Sequence, residues 1–325
     1  MSQLEHFGSY EIIKADSLMD EILVAEAKRN IEESQSENTT LAYESDWLQF
    51  SNWCSSHGFA SLPSNDDTIC LYLTSLAMEG YKASTIHRKM SALITAHKDK
   101  GYDSPITQKV RRLMAGIRRR YGVKETGKKP LLVKDILSML MEIPDSVKGR
   151  RDKALLLLGF AGAFRRSEIV SLDIEDIKLD QKGMVVHLKK SKTDQYGQGQ
   201  SIGIPFGKNK DTCPVEAYKA WLQILNLQDG PIFRPINRHG QIQTKRLSDK
   251  AVALIVKDYA RAAGLVESEY SGHSLRSGLA TTAAMAGKDE RSIMKQTRHT
   301  SVNMVRKYIR MGAIFIENAA DDIGL

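Results

Sequence analysis

Apolar positions recur at helical spacing along most of the chain. In residues 17–34, "SLMDEILVAEAKRNIEES", Leu18, Ile22, Leu23 and Ala27 fall on one side of a helix. The stretch "SQSENTT" then breaks the pattern and supplies N-cap residue types. Three further helical patterns follow between 41 and 98: "LAYESDWLQFSNWCSSHG", "NDDTICLYLTSLAMEG" and "KASTIHRKMSALITAHKDKG". Gly58, Gly80 and Gly101 stand where C-terminal caps belong, and another helix is predicted from Ser104 to Arg120. The first third of the chain therefore reads as a bundle of four or five helices.

The segment "YGVKETGKKP" (121–130) has the Gly, Lys and Pro content of a linker, and Pro130 suits the opening of a new element. Helices are predicted at 132–142 and 149–163. In "MVVHLKKSKT" (184–193) the residues turn β-prone, and after the Gly/Gln-rich "DQYGQGQ" comes "SIGIPF", which together predict a hairpin with a long loop. Helical spacing resumes at 214–226, 247–263, 274–286, 288–297 and 301–310. No internal repeat and no low-complexity tract interrupts this order. The expected class is mainly α with a small β-sheet.

Length and composition bound the domain count and exclude some surroundings. A chain of 325 residues, 42% hydrophobic and 26% charged, suits two globular domains or one large one. No apolar run approaches the roughly 20 residues of a membrane span, and "MSQLEHFGSYEII" lacks the basic start and apolar stretch of a secretory signal. Cys54, Cys70 and Cys213 are scattered without a CxxC pair, which argues against structural zinc and a disulfide framework. The expected location is the cytoplasm, at the nucleoid if the source is bacterial.

The net charge of +8 is unevenly placed. Residues 101–130 hold nine Lys or Arg, Arg118, Arg119 and Arg120 among them, against Asp103 and Glu125. Residues 1–44 hold ten carboxylates against Lys14, Lys28 and Arg29. The basic block suits a phosphate backbone, with a solvated helix face as the alternative. The acidic N-terminal stretch is a poor DNA-binding arm.

No GxxxxGK[ST] loop, no HExxH and no evident carboxylate cluster for Mg²⁺ is present, so chemistry on phosphates would proceed without ATP or metal. Four short segments carry reactive side chains. "GAFRRSEIVSL" sets Arg165 and Glu168 at i, i+3, on one side of a helix. "KKSKTDQ" puts Lys192 at the tip of the predicted hairpin. "GHSLRSG" separates His273 and Arg276 by one helical turn. "RHTSVNMVRKYIR" holds His299 and Tyr308. Taken singly, each has an ordinary reading: an ion pair, a solvated turn lysine, a helix start, an aromatic at the edge of the Val302–Val305–Ile309 stripe. His299 and Tyr308 are nine residues apart, which puts them on opposite faces of one straight helix. They can share a site only if a helix starts between them, and Thr300 or Ser301 is a suitable N-cap.

Together, the order R…K…HxxR…H…Y resembles the tyrosine recombinase (integrase) family, over roughly residues 38–325. "SENTTLAYESDWLQFSNWC" and "YKASTIHRKMSALITAHKDKG" look like its core-binding domain. "RRDKALLLLGFAGAFRRSEIVSLDIEDI" looks like its first catalytic box, and "HSLRSGLATTAAMAG" with "HTSVNMVRKYIR" like its second. Length and boxes are especially similar to Cre-like site-specific DNA recombinases. The resemblance implies a two-domain C-shaped DNA clamp: an acidic N-terminal extension (1–35), a helical core-binding domain (36–122), a basic linker (123–130) and a catalytic domain (131–325).

It further implies that Arg165 and Arg276 clamp the non-bridging oxygens of a scissile phosphodiester. Tyr308 is then the nucleophile that forms a 3′-phosphotyrosyl link, so that no cofactor is needed. Lys192 protonates the 5′-oxygen, His273 moves the proton of the nucleophile, His299 hydrogen-bonds the phosphate and Glu168 orients the site. His299 stands where some Cre-type members carry tryptophan; both donate through a ring N–H. The implied partners are double-stranded DNA with inverted-repeat recombination sites and a homotetramer on that DNA, resolving through a Holliday junction. Ser84, Thr85, His87, Arg88 and Lys89 are expected at the major groove and Thr39 and Thr40 at phosphate, with plain helix surface as the alternative. Ile314, Phe315 and Ile316, in a C-terminal segment (312–325), are expected to dock on a neighbouring protomer. Two rival readings remain, a type IB topoisomerase-like strand transferase and a DNA-binding accessory protein with a silent site.

Overall fold

The computed structural model describes residues 18–33, 37–122, 127–189, 199–299 and 301–312. The chain divides into two compact units, Met1–Glu125 and Thr126–Leu325.

The N-terminal unit contains α1 (Leu18–Glu33), α2 (Glu37–His57), α3 (Asp66–Met78), α4 (Ala83–Asp99) and α5 (Gln108–Tyr121). Each helix of its core contributes apolar residues three and four apart. On α4 these are Ile86, Met90 and Leu93, which join Phe50 of α2, Ile69, Tyr72 and Leu73 of α3, and Val110 and Met114 of α5. Helix α3 starts where Asn65 accepts the Thr68 N–H at 2.9 Å, with Asp66 and Asp67 in its first turn favoured by the helix dipole. Gly80 and Gly101, at φ +85° and +76°, follow α3 and α4 in the left-handed conformation that a side chain resists.

The C-terminal unit contains α6 (Val133–Met141), α7 (Val147–Ala161), α8 (Arg166–Ser171), then β1 (Ile177–Asp180), β2 (Gly183–Leu188) and β3 (Gln200–Pro205). Helices α9 (Pro214–Leu225), α10 (Asp249–Ala262), α11 (Gly272–Met285), α12 (Glu290–Thr297) and α13 (Val302–Gly312) complete it. The three strands form one antiparallel sheet in the order β1-β2-β3, with Val186 opposite Ile177 on one side and Ile202 on the other. Met184, Val186 and Leu188 point into the core while Val185 and His187 face out, the alternation from which the hairpin is predicted. Strand β1 is an addition to that expectation.

Helix α7 forms the axis of this unit. Its run Ala154–Leu158 is buried against α9 and α11, whose Trp221 and Leu275 belong to the same core. At its start the Ser146 hydroxyl accepts the Gly149 N–H at 3.0 Å, so the helix begins at Val147, two residues earlier than its apolar pattern suggests. The buried pair Arg151–Asp152 (2.6 Å) takes a further hydrogen bond from the Tyr259 hydroxyl at 3.0 Å, tying α10 to α7. Among the described residues no helix is long and apolar enough to cross a membrane.

Candidate active site

The turn between α7 and α8 and the first turn of α11 face each other, and they supply the two arginines expected to act together. Helix α7 stops at Ala161; Gly162 follows, and Ala163 adopts a left-handed φ of 47°. Arg165 has extended backbone (φ −71°, ψ 156°) and is the N-cap of α8. This corrects the sequence reading of Arg165 and Glu168 as two positions of one helix. Glu168 reaches back to accept the Arg165 N–H at 2.8 Å and also binds the Arg165 guanidinium. The i, i+3 relation is therefore that of a cap and the third helical residue.

On α11, the Ser271 hydroxyl accepts the His273 N–H at 3.3 Å and the Ser274 hydroxyl accepts the Ser271 N–H at 3.0 Å, which fixes the helix start. A Cβ at Gly272 would lie 2.3 Å from Cγ of Arg166, so a larger residue here would force the Arg166 side chain of α8 to move. Arg276 is 1% exposed. Its Nη1 donates to the Ala163 carbonyl at 2.8 Å, while Nη2 is buried with no hydrogen-bond acceptor among the described residues. Burial and the guanidiniums of Arg165 and Arg298 push Arg276 well below the usual arginine range. A buried donor in a cationic pocket is stabilised by an anion placed against it.

Tyr308 lies on α13, which starts at Val302 after α12 has ended at Thr297. The helix start that a shared site requires is present between His299 and Tyr308. The Tyr308 ring packs with Val305 and with Ala280, Ala284 and Ile293 of α11 and α12, leaving the residue 7% exposed. Its hydroxyl is not free: Nε2 of His273 stands 3.0 Å away. Burial raises the phenol above its ordinary value, and Arg276 opposes that only in part. At neutral pH Tyr308 is therefore a neutral phenol, and the imidazole beside it is the group placed to accept its proton.

His299 lies 5.7 Å from Tyr308, centroid to centroid. The Thr297 hydroxyl donates to the Ile293 carbonyl at 2.7 Å, so it accepts from His299 Nδ1 at 2.7 Å and leaves Nε2 as the bare nitrogen. Burial, then Arg276 and Arg165, push His299 down to about 4. Its folded-state value lies below that of a free imidazole, so the unfolded chain protonates first as pH falls. This group's contribution to stability is complete above about 6.5 and is lost between there and about 4. In ¹H NMR of the free protein the His299 ring is expected to titrate near 4, and to move upward when inorganic phosphate is added. Titration near 6.5 without phosphate would contradict the buried cationic setting.

Arg298 is a functional candidate absent from the sequence reading. It ends α12 at φ 55°, and its side chain donates to the carbonyls of Gly162, Ala163 and Gln296, each at 2.9 Å, and to Glu168 at 2.8 Å. A left-handed non-glycine residue costs roughly 1 kcal/mol or more. An arginine just past a predicted helix end, where glycine usually stands, is the signal that could have exposed it. Burial raises Glu168, yet Arg298 and Arg165 outweigh it and hold the carboxyl below its ordinary value.

Other expected site residues fare differently. Lys192 lies outside the described residues, as do Thr300 and Ile314, Phe315 and Ile316. In the N-terminal unit, Ser84, His87 and Arg88 share one exposed face at the start of α4, and Thr85 is half-buried. Arg88 also pairs with Asp46 at 2.6 Å. Lys89 is a correction: it is 4% exposed and bonds Asp46 at 2.8 Å and Gln49 of α2, so it is a buried strut between helices and not a groove contact. Arg118, Arg119 and Arg120 are exposed on the last turn of α5, while Thr39 and Thr40 are half-buried on the first turn of α2.

The chain is similar to known proteins over most of its length. Residues 130–313 match the phage integrase family, and residues 30–98 match the phage integrase N-terminal SAM-like domain. The integrase/recombinase XerD homolog of Selenomonas ruminantium is 44% identical over 306 residues, 92% of this chain and 89% of that protein. The recombinase Cre of Escherichia phage P1 is 26% identical over 278 residues, 79% of each chain. Among solved structures, the XerH site-specific recombinase bound to palindromic difH substrate, in a post-cleavage complex, superposes with a TM-score of 0.65. That match has 18% identity and covers 92% of this chain and 82% of that one.

Proposed function

Because the chain belongs to the phage integrase family and is a tyrosine recombinase acting on DNA, we propose that Tyr308 cleaves one strand of a duplex at a specific site. The observation that carries the assignment is the Tyr308 hydroxyl, 3.0 Å from His273, in the same pocket as the unpaired Nη2 of Arg276. Arg165 and Arg276 hold the non-bridging oxygens of the scissile phosphate and offset the charge that grows on the pentavalent phosphorane. His273 takes the phenol proton as the tyrosyl oxygen bonds to phosphorus, and the bond to the 5′-oxygen breaks. Lys192 protonates that oxygen. His299 takes a proton from solvent once the phosphate anion offsets the neighbouring guanidiniums, and it then donates from Nε2. The product is a 3′-phosphotyrosyl enzyme and a free 5′-hydroxyl, which attacks the same linkage in a partner duplex.

One phosphodiester is exchanged for another of similar energy, so the cycle needs no ATP, and the attacking and leaving oxygens are handled by side chains. Strand cleavage is expected to proceed undiminished in EDTA and without nucleotide. An absolute requirement for Mg²⁺ in the cleavage step itself would contradict this mechanism.

In this reading the helical unit, residues 36–122, and the catalytic unit, residues 131–325, both contact the duplex, with Ser84, His87 and Arg88 at the major groove and Arg118–Arg120 on phosphates. Two inverted-repeat sites are brought together by a homotetramer, and paired cleavages pass through a Holliday junction, in the cytoplasm at the nucleoid. The segment 312–325 docks on a neighbouring protomer through Ile314, Phe315 and Ile316. An apolar groove of about 180 Å³ between α11 and α12, lined by Leu279, Ala280, Ala283 and Ile293, is a receptor of suitable chemistry. Deleting residues 314–325 is expected to weaken synapsis of two sites, measured by gel shift, by about tenfold or more while single-site binding is retained. Equal synapsis by the truncated chain would remove the docking role.

A further inference from the structure

Arg298 is the most heavily bonded guanidinium of the site. Its side chain is 3% exposed. It lies over the Phe164 ring at 5.2 Å, and its two Nη atoms are taken up by three carbonyls and one oxygen of Glu168. It is placed to act on the other two arginines of the pocket. The Ala163 carbonyl accepts from both Arg276 Nη1 and Arg298 Nη2. The oxygens of Glu168 are divided, Oε1 to the Arg165 guanidinium and Oε2 to the Arg165 N–H and to Arg298.

We propose that Arg298 is a positioning residue, which neutralises Glu168 from behind and so keeps Arg165 and Arg276 aimed at the scissile phosphate. The inference rests on the assignment of those two arginines to the phosphate given above. Without Arg298, the buried carboxylate has one cation left, and a guanidinium beside an unshared carboxylate closes onto it with both prongs. Arg165 would then face Glu168 instead of the substrate. The charge balance points the same way: three guanidiniums against one carboxylate leave the pocket cationic enough for a phosphorane, and losing one removes half of that excess. At Glu168, Arg298 is also the largest influence opposing burial. The left-handed backbone at Arg298 would suit glycine without strain, so what arginine adds at this position is its side chain.

The test is single-turnover formation of the covalent adduct on a nicked duplex bearing an inverted repeat found by searching the DNA that flanks the encoding gene. Four chains are compared: wild type, Arg298→Gly, Glu168→Gln and the double variant. Arg298→Gly is expected to lower the cleavage rate at saturating DNA about 10²-fold, with DNA affinity changed by less than about threefold. Adding Glu168→Gln removes the unshared carboxylate and is expected to restore about tenfold of the loss. A double variant no faster than Arg298→Gly would overturn the proposal, since an arginine that does not act through the charge of Glu168 gains nothing from a neutral residue 168. If Arg298→Gly does not fold, Arg298→Lys and Arg298→Met are compared instead. The proposal expects the lysine variant to cleave about tenfold or more faster than the methionine variant, and equal rates would overturn it. A wild-type chain that forms no adduct would speak against the recombination mechanism itself, which separates the two failures.

Discussion

Tyr308→Phe is expected to bind its DNA site as tightly as the wild type and to form no covalent adduct with it. The substitution removes one oxygen whose hydrogen bond is to His273, and it keeps the ring against Val305, Ala280 and Ile293. The net loss of one such bond is about 1 kcal/mol, too little to unfold α13 or to displace a ligand held by many phosphate contacts. The chemical loss is of another order. The oxygen that would bond to phosphorus is itself removed, so cleavage is expected to fall by about 10⁴-fold or more. A suicide duplex, in which the strand distal to the nick diffuses away after cleavage, reads the adduct by gel, and a gel shift reads the affinity. An adduct persisting in the phenylalanine variant would contradict the role of Tyr308.

Arg276→Lys carries the second large effect, although it preserves the charge. The buried guanidinium spends Nη1 on the Ala163 carbonyl and holds Nη2 in reserve, in a pocket that also contains Arg165, Arg298 and His299. A lysine has a single nitrogen on a flexible stem and cannot hold the carbonyl and the phosphate in one plane. Removing a preorganised donor from a developing anion costs about 10²–10³-fold in rate. Binding is expected to change little, because affinity for duplex DNA is spread over many backbone contacts. Single-turnover cleavage at saturating DNA is the measurement. A lysine variant within about threefold of wild type would remove Arg276 from the phosphate clamp.

The helical periodicity carries most of the fold. The two-unit, mainly helical plan with a small sheet follows from where apolar residues recur, because burial of one helical face is a local property of spacing. Strand β1 escapes this reading: only Ile177 of its four residues is buried, so no alternation is present to detect. What spacing cannot express is which distant polar groups meet. Lys89 looks like a groove residue on α4 until Asp46, 43 positions earlier, is seen to bury it. Arg298 gains its meaning only from the carbonyls of Gly162 and Ala163, more than a hundred positions away. The resemblance to a family brought Arg165, His273, Arg276 and Tyr308 together as a set, and the structure adds their geometry. It also shows the tyrosine hydroxyl already hydrogen-bonded to the neighbouring histidine.

That His273–Tyr308 pair is the centre of the proposed mechanism, and trapping the intermediate tests it most directly. The covalent complex formed on a suicide duplex would be digested with a protease and a nuclease, and the modified peptide sequenced by mass spectrometry. The mechanism predicts a nucleotide joined through its 3′-phosphate to Tyr308, with a free hydroxyl on the 5′ side of the cut. A nucleotide on any other residue, or a linkage through the 5′-phosphate, would contradict it.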